Sequence, residues 1–337
     1  MSSSDRQVIN SDCIIIGGGI TGLIVATILQ RQKIKVTVLD KGKGIGGRLA
    51  TRRVISQENS IEGVFDYGSQ YFKVKSSRFQ AWVDDWLKND VIREWSRGFG
   101  KEDGNPRYCG VRGTRGIAQY LAKDLDVRTE TKAIELSYKK KWSIKTDNGL
   151  EYQGDMLVIT SPVPQSLSLL DASLLALPLE IRFALEKIEY HRCIAVLALL
   201  EKPSSIPAPG GMSLKDNEFL VWLGDNHQKG ISPDGYAITL HATPDFSDDY
   251  WDSDDAEIAY KLITAAADYL NSPVIKYQVH RWRYSLPKTF YNEPCLTLLE
   301  LPLVMAGDAF VAPTVEGAAI SGMAAAKSIA RRFGIKS

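Results

Sequence analysis

The chain opens its first interpretable pattern at Asp12, Cys13, Ile14, Ile15 and Ile16, a short apolar run rich in β-branched side chains. Such a run, bounded by turn residues, predicts a buried strand. Glycines interrupt it, apolar residues then recur at helical spacing over 21–32, and 35–40 reads as a second strand. Strand, helix and strand within about 30 residues make a βαβ unit, which builds parallel sheets through right-handed crossovers.

Further along, 126–160 changes to short alternating strands. Asp147, Asn148 and Gly149 supply a hairpin turn between Trp142–Thr146 and 150–153. Residues 156–160 predict a buried strand that Pro162 and Pro164 end. The centre, 166–272, mixes helices and strands, with 194–200 apolar enough for a buried strand and 204–211 a loop. At 303–306 another strand leads into Gly307 and Asp308, and a small-residue helix follows over 316–332. A sheet begun near the N-terminus is thus completed near the C-terminus, with a second domain inserted.

A length of 337 residues suits about two domains. Forty-one Lys and Arg against forty Asp and Glu leave a formal charge of +1, so no global field favours nucleic acid or an anionic membrane. Hydrophobic residues at 44% and charged ones at 24% exclude wholesale disorder. Cys13, Cys109, Cys193 and Cys295 are too scattered for a disulfide framework or a zinc site, and each reads as a small buried hydrophobe. The uncharged stretch 13–29 is short for a membrane span and is broken by Gly17, Gly18, Gly19 and Gly22. No basic n-region or cleavage site marks a signal peptide, so the expectation is a soluble, cytoplasmic protein.

Chemistry enters with Gly17-Gly18-Gly19-Ile20-Thr21-Gly22, which satisfies G-x-G-x-x-G between a strand and a helix. Gly17 and Gly19 let backbone amides approach a pyrophosphate, Gly22 lets the helix pack closely, and the helix N-terminus contributes positive dipole. Asp40 ends the next strand about 20 residues beyond Gly19, where a carboxylate grips ribose hydroxyls. The reading is a dinucleotide site.

A second glycine-rich element, 42–51, follows Asp40 and Lys41 and contains Gly46, Gly47 and Arg48. This arrangement resembles the flavin-dependent amine oxidase superfamily. That resemblance implies non-covalent FAD, with Ile20, Thr21, Lys41, Gly47 and Arg48 joining the glycine loop around the pyrophosphate and flavin end. It also implies that 65–72 passes the isoalloxazine ring, with Gly68 allowing approach and Gln70 a polar contact. Thr131 takes the position of the adenine-contacting backbone. Asp308 meets the ribityl–pyrophosphate region, and the helix start at Gly317 to Ile320 faces the flavin N1–C2 edge.

The chain is most similar to the renalase-like branch of that superfamily, through 110–117, 161–164 and His280-Arg281-Trp282-Arg283-Tyr284-Ser285. The resemblance implies an α/β fold with a Rossmann-type, p-hydroxybenzoate-hydroxylase-like FAD domain and an inserted mixed α+β substrate domain. The FAD domain is expected over 8–75, 106–165 and 275–335, the substrate domain over 76–105 and 166–274. It further implies an oxidase that takes hydride from a small-molecule dihydropyridine nucleotide, an isomeric 2- or 6-dihydro NAD(P)H, and passes electrons to O₂ to give hydrogen peroxide. Trp282 would then wall the substrate cavity, and Trp222, Tyr108, Arg112, His241 and Tyr284 are candidates to line it. His191, His227, His241 and His280 lie in no nucleophile or metal constellation, so catalysis is assigned to none, and a hydride donor requires no general base. An amine oxidase or desaturase of the same fold is the alternative, with Trp222 and Trp282 caging an amine. A flavin-binding protein without turnover is the third, its acidic, aromatic 244–255 segment a solvated loop or a docking surface.

Overall fold

In the computed structural model, residues 8–335 are described, apart from 59 and 299. They divide into two compact units, one comprising the residues up to Gly47, Ala118–Glu189 and those from Pro287 on, the other Arg48–Ile117 and Tyr190–Leu286.

The first unit is built on a six-stranded sheet. Its strands run in the order Leu296–Thr297, Leu303–Met305, Met156–Ile159, Cys13–Ile16, Val36–Leu39 and Asp126–Arg128. All pairings are parallel except that of the edge strand Leu296–Thr297. Ile15 stands opposite both Val158 and Val38, so the apolar runs form one fully buried layer. Strands covered on both faces need continuous rather than alternating hydrophobicity, and all four residues of Val36–Leu39 are buried. Helix Ile20–Arg31 lies against helix Val315–Arg332, where the Thr21 hydroxyl donates to the Ala318 carbonyl at 2.9 Å. A Cβ on Gly322 would come 2.7 Å from the Thr21 carbonyl oxygen, so glycine sets the helix separation there. Beneath them Val25, Ala26, Leu29, Val158, Val304 and Ala325 share one core cluster. A second sheet orders Val8–Asn10, Glu151–Gly154, Trp142–Thr146 and Ala133–Tyr138, with the expected hairpin at its centre.

The second unit holds a five-stranded sheet in the order Gly211–Ser213, Leu220–Asp225, Tyr236–Ala242, Tyr190–Leu200 and Val274–Pro287. Hairpins Thr51–Ser56 with Ile61–Asp66, and Ile92–Phe99 with Lys101–Gly110, complete it together with helix Ser77–Lys88.

The Rossmann-type α/β architecture is present, and no helix among the described residues is long and apolar enough to cross a membrane. The division of the chain differs from the expected boundaries. Residues 48–75, 106–117 and 275–286 were expected with the dinucleotide domain, yet they group with 190–274. The reason is packing: Val54 and Phe65 share a buried cluster with Ala195, Leu197 and Leu199. Residues 166–189 group instead with the first unit, where Ser173 Oγ accepts from the Leu136 amide and Thr289 Oγ1 from the Glu189 amide. The 244–255 segment is a correction as well. Thr243 caps helix Pro244–Asp249, and Phe246 and Trp251 are buried in the sheet's core, so the segment is an anchored helix and not a loop, with Asp245, Asp248, Asp249, Asp252, Asp254 and Asp255 exposed.

Candidate functional site

The glycine loop of the first unit is a backbone cradle. Gly17 has φ 117°, and a Cβ there would fall 2.4 Å from Thr160 Oγ1. A Cβ on Gly22 would lie 2.1 Å from the Gly17 carbonyl oxygen, which is why the helix can begin so close to the strand. Gly19 is different: nothing lies within 4 Å of where its Cβ would be. It occupies the N-cap of helix Ile20–Arg31 without a side-chain cap, and the first turn holds no acidic residue. The first four amides of a helix lack intrahelical partners. Here the helix's own first turn supplies no anion for them, and the open face above Gly19 fits the diphosphate of FAD. Ile20 and Thr21 are themselves buried, so what they offer on this face is main chain.

Asp40 binds the two glycine-rich elements together. One carboxylate oxygen accepts from the Gly18 amide at 2.6 Å, the other from the Gly42 amide at 2.7 Å. A carboxylate has about four acceptor sites, so capacity for ribose hydroxyls remains. Gly46, bonded through its amide to the Gly18 carbonyl at 2.8 Å, brings the second loop alongside the first, and Gly47 follows in the left-handed region at φ 55°. Lys41 Nζ donates to Gln165 Oε1 at 3.0 Å. Thr131 is buried, and its amide donates to the Asp40 carbonyl at 2.9 Å. That amide is engaged within the protein, leaving the Thr131 position its carbonyl for a base.

At the C-terminal element Asp308 is buried in the short 3₁₀ turn Asp308–Phe310, after Gly307, whose amide donates to Ser321 Oγ at 2.9 Å. The following helix starts unlike the first. Thr314 Oγ1 caps it by accepting from the Gly317 amide at 2.9 Å, and Glu316 sits in its first turn. Gly317 thus has its amide engaged within the chain. Its role is close packing, since a Cβ would lie 2.3 Å from the Ala312 carbonyl oxygen. Ile320, one turn on, is half-buried.

In the second unit, Arg48 Nη1 donates to the Ser285 carbonyl at 3.0 Å. Gly68 packs on the Arg48 backbone: a Cβ would fall 2.1 Å from that carbonyl oxygen. Protein packing by itself thus demands this glycine. Gln70 is buried, its Nε2 donating to the Asp66 and Gly68 carbonyls at 2.5 and 3.4 Å.

Around Gln70 lies a network that no sequence pattern announced. Lys229 and Asp66 form a wholly buried ion pair at 2.7 Å, and Lys229 Nζ also donates to the Gln70 carbonyl at 2.6 Å. The other Asp66 oxygen accepts from Thr51 Oγ1 at 2.6 Å, the Thr114 amide at 2.8 Å and Thr114 Oγ1 at 3.2 Å. Both charges are hydrogen-bonded throughout, the condition under which burial is tolerated. Lys229 sits in a polar loop with nothing in its neighbourhood to single it out; Asp66 lay inside a motif already noted, and its burial was the only available signal.

Two aromatic groups flank this network. Tyr71, Trp95, Phe99 and Trp222 touch one another with ring centroids 4.8 to 6.4 Å apart. Lys229 Nζ lies 4.8 Å from the Trp95 ring, and the Arg107 guanidinium 5.4 Å from Phe99 and 6.0 Å from Tyr71. In the second group Tyr67 stacks on Trp282 at 5.2 Å, His280 stands edge-on to both, and Arg52 covers Tyr67 at 4.8 Å. Trp282 Nε1 and His241 Nε2 both reach the Tyr67 carbonyl, at 2.9 and 3.0 Å. Trp282 is half-buried and Trp222 nearly enclosed, so the structure assigns the two tryptophans to separate clusters.

Burial pulls His241 down to about 4, with Lys229 adding to it, and burial with the charges of Arg52 and Arg281 pulls His280 to about 4. Both imidazoles are neutral at physiological pH. Among the cysteines Cys13, Cys109 and Cys193 are buried as expected, whereas Cys295 is only half-buried; all four are free thiols raised in pKa by burial.

Residues 15–86 match a family described as an NAD(P)-binding Rossmann-like domain, and residues 57–330 match one described as flavin containing amine oxidoreductase. Renalase from Mus musculus is 23% identical, over 95% of this chain and 99% of its own length. Among solved structures, a putative protoporphyrinogen oxidase from Exiguobacterium sp. 255-15 superposes with a TM-score of 0.70 at 14% identity, covering 98% of this chain and 99% of that one. A putrescine oxidase redesigned for cofactor binding does so with a TM-score of 0.66 at 13% identity, over 97% and 100%.

Proposed function

The chain belongs to the flavin-containing amine oxidoreductase family and is an FAD-dependent oxidoreductase, and from that premise we propose that it oxidises isomeric dihydro forms of NAD(P)H to NAD(P)+. Similarity to renalase along nearly the whole of both chains supports this reading. The observation that carries it is electrostatic. Both aromatic groups of the second unit are already faced by the chain's own cations, Lys229, Arg107 and Arg52. The rings of Tyr67, Tyr71, Trp95 and Phe99, so occupied, are less open to a substrate ammonium, while Lys229 and Arg107 are themselves paired with Asp66 and Asp103 and leave Arg52 to favour an anionic dinucleotide.

Bound FAD would supply the two-electron acceptor and hand its electrons on to O₂, which leaves as hydrogen peroxide. The residues of this chain have binding and orienting work. The uncapped helix end at Gly19 holds the cofactor diphosphate, and Asp40 a ribose. A dihydropyridine that loses hydride becomes an aromatic pyridinium with no proton left to remove, so neutral His241 and His280 need not act as bases. The Trp282 group presents a flat, apolar wall against which the substrate ring is held and from which water is excluded.

Anaerobic mixing of the holoenzyme with 6-dihydro-NAD tests this directly. Rapid bleaching of the oxidised flavin band is expected, with none from putrescine or simple primary amines. Bleaching and peroxide formation by amines alone would replace the proposal with amine oxidation.

A further inference from the structure

The hairpin tip of the first unit carries a reactive pair of residues. Of the nine asparagines in the chain, Asn148 alone precedes a glycine; Asn10, Asn59 and Asn271 precede serine. The backbone nitrogen of the next residue is the nucleophile best placed to attack an asparagine side-chain amide, and glycine obstructs that attack least. Asn148 and Gly149 are both exposed. Gly149 stands at φ 84°, and nothing lies within 4 Å of where its Cβ would be, so the approach is open.

The turn also prepares the amide that is attacked. The Thr146 amide donates to the Leu150 carbonyl and the Gly149 amide to the Thr146 carbonyl, both at 3.0 Å, which closes the hairpin. Asn148 Oδ1 accepts from the Leu150 amide at 3.3 Å, an Asx turn that folds the side chain back over its own peptide. The Thr146 hydroxyl is 2.7 Å from Asn148 Oδ1 and 2.8 Å from the Leu150 carbonyl, and shares its proton between them. Donors facing Oδ1 stabilise the negative charge that develops there as the amide carbon becomes tetrahedral.

The hairpin tip is a clasp as well. Asn148 Nδ2 donates to Thr131 Oγ1 at 3.2 Å, the Asp147 amide to the Lys132 carbonyl at 2.9 Å, and the Lys132 amide to Asp147 Oδ1 at 3.0 Å. The clasped segment includes buried Thr131, whose own amide donates to the Asp40 carbonyl.

We propose that Asn148 is a site of spontaneous deamidation and that its conversion unclasps 129–132 from the hairpin. The Gly149 nitrogen gives its proton to hydroxide and bonds to Asn148 Cγ. The Cγ–Nδ2 bond breaks, and Nδ2 takes a proton from water and leaves as ammonia. Water then opens the resulting five-membered imide at one of its two carbonyls, leaving aspartate or isoaspartate. Either product lacks the N–H that reaches Thr131 and sets a second carboxylate beside Asp147. Isoaspartate also lengthens the main chain by a methylene inside the turn. Resting on the reading of Thr131 as the adenine-contacting position, the consequence for function is a looser hold on FAD as the protein ages.

Holoenzyme kept at neutral and at alkaline pH, and sampled over days, tests this by peptide mass mapping, hydrogen exchange and FAD titration. The peptide bearing Asn148 should convert before those bearing the other asparagines, and faster at alkaline pH, where hydroxide is more abundant. Exchange at the Lys132 and Asp147 amides should quicken in the converted protein, and FAD affinity should fall about tenfold. Asn148→Gln, whose longer side chain closes the ring far more slowly, should age without these changes. Asn148 intact after Asn10, Asn59 or Asn271 has converted overturns the site, and conversion with unchanged exchange at Lys132 overturns the clasp. Conversion with faster exchange but undiminished FAD affinity upholds both and removes the Thr131 contact with adenine alone.

Discussion

The two units hold their functional groups by opposite means. In the first, the decisive features are absences: no side chain at Gly17, Gly19 and Gly22, and no cap or acid on the helix that follows. In the second, they are a dense set of side chains, with Asp66, Lys229, Thr51, Thr114 and Gln70 joined in one buried network. A backbone cradle recognises charge and needs only a few local residues. A side-chain network fixes shape and polarity, and draws its members from distant parts of the chain.

The sharpest way to break this contrast is Gly19→Asp. A Cβ at this position meets nothing within 4 Å, and the backbone is extended, so the fold accepts the change. Asp is also a good N-cap, worth a few tenths of a kcal/mol over glycine. Yet its carboxylate would occupy the helix end and face the FAD diphosphate. Like charges about 4 Å apart repel by about 4 kcal/mol at an effective dielectric near 20, roughly a thousandfold in affinity. The expected product is a colourless protein whose denaturation midpoint is no lower than that of the natural apoprotein. A yellow variant would show that the cofactor is held elsewhere.

Lys229→Met is the corresponding lesion in the second unit, and it should act on stability. Removing one member of a fully buried, hydrogen-bonded pair leaves Asp66 charged and uncompensated, at a cost of about 3–5 kcal/mol. Urea denaturation should show the midpoint falling accordingly. Adding Asp66→Asn should recover part of the loss, since the neutral amide oxygen still accepts from Thr51 and Thr114. A midpoint unchanged by Lys229→Met would mean that the network is not what holds the second unit together.

The same contrast explains what could be read from the sequence. The crossover 12–40 was legible because its constraints are local: buried parallel strands need unbroken apolar runs, and a diphosphate loop needs glycines at fixed spacing. The domain boundaries were not, because Phe65 joins Ala195 and Leu197 through side-chain packing that carries no periodicity. Gly68 shows the limit within a motif. Its position was identified from the motif, but the atom it makes room for is the Arg48 carbonyl. Gln70 was expected to make a polar contact, and only the coordinates show that its Oε1, beside Trp222 Nε1, lacks a partner among the described residues.

The smallest predicted effect separates the two helix starts of the first unit. Thr314 Oγ1 takes the Gly317 amide, so Thr314→Ala removes one cap and should cost about 1 kcal/mol of stability. It also frees that amide. If the capped end plays no part in anion binding, FAD affinity should stay within about twofold, because a change of that size is under 0.5 kcal/mol. The buried Glu316 in the same turn points to this outcome, since a carboxylate there already complements the helix end that Ile20–Arg31 leaves bare. Fluorescence titration of the apoprotein with FAD measures the difference. Should Thr314→Ala shed the cofactor as Gly19→Asp does, the two ends would be equivalent in holding it, and capping would not distinguish them.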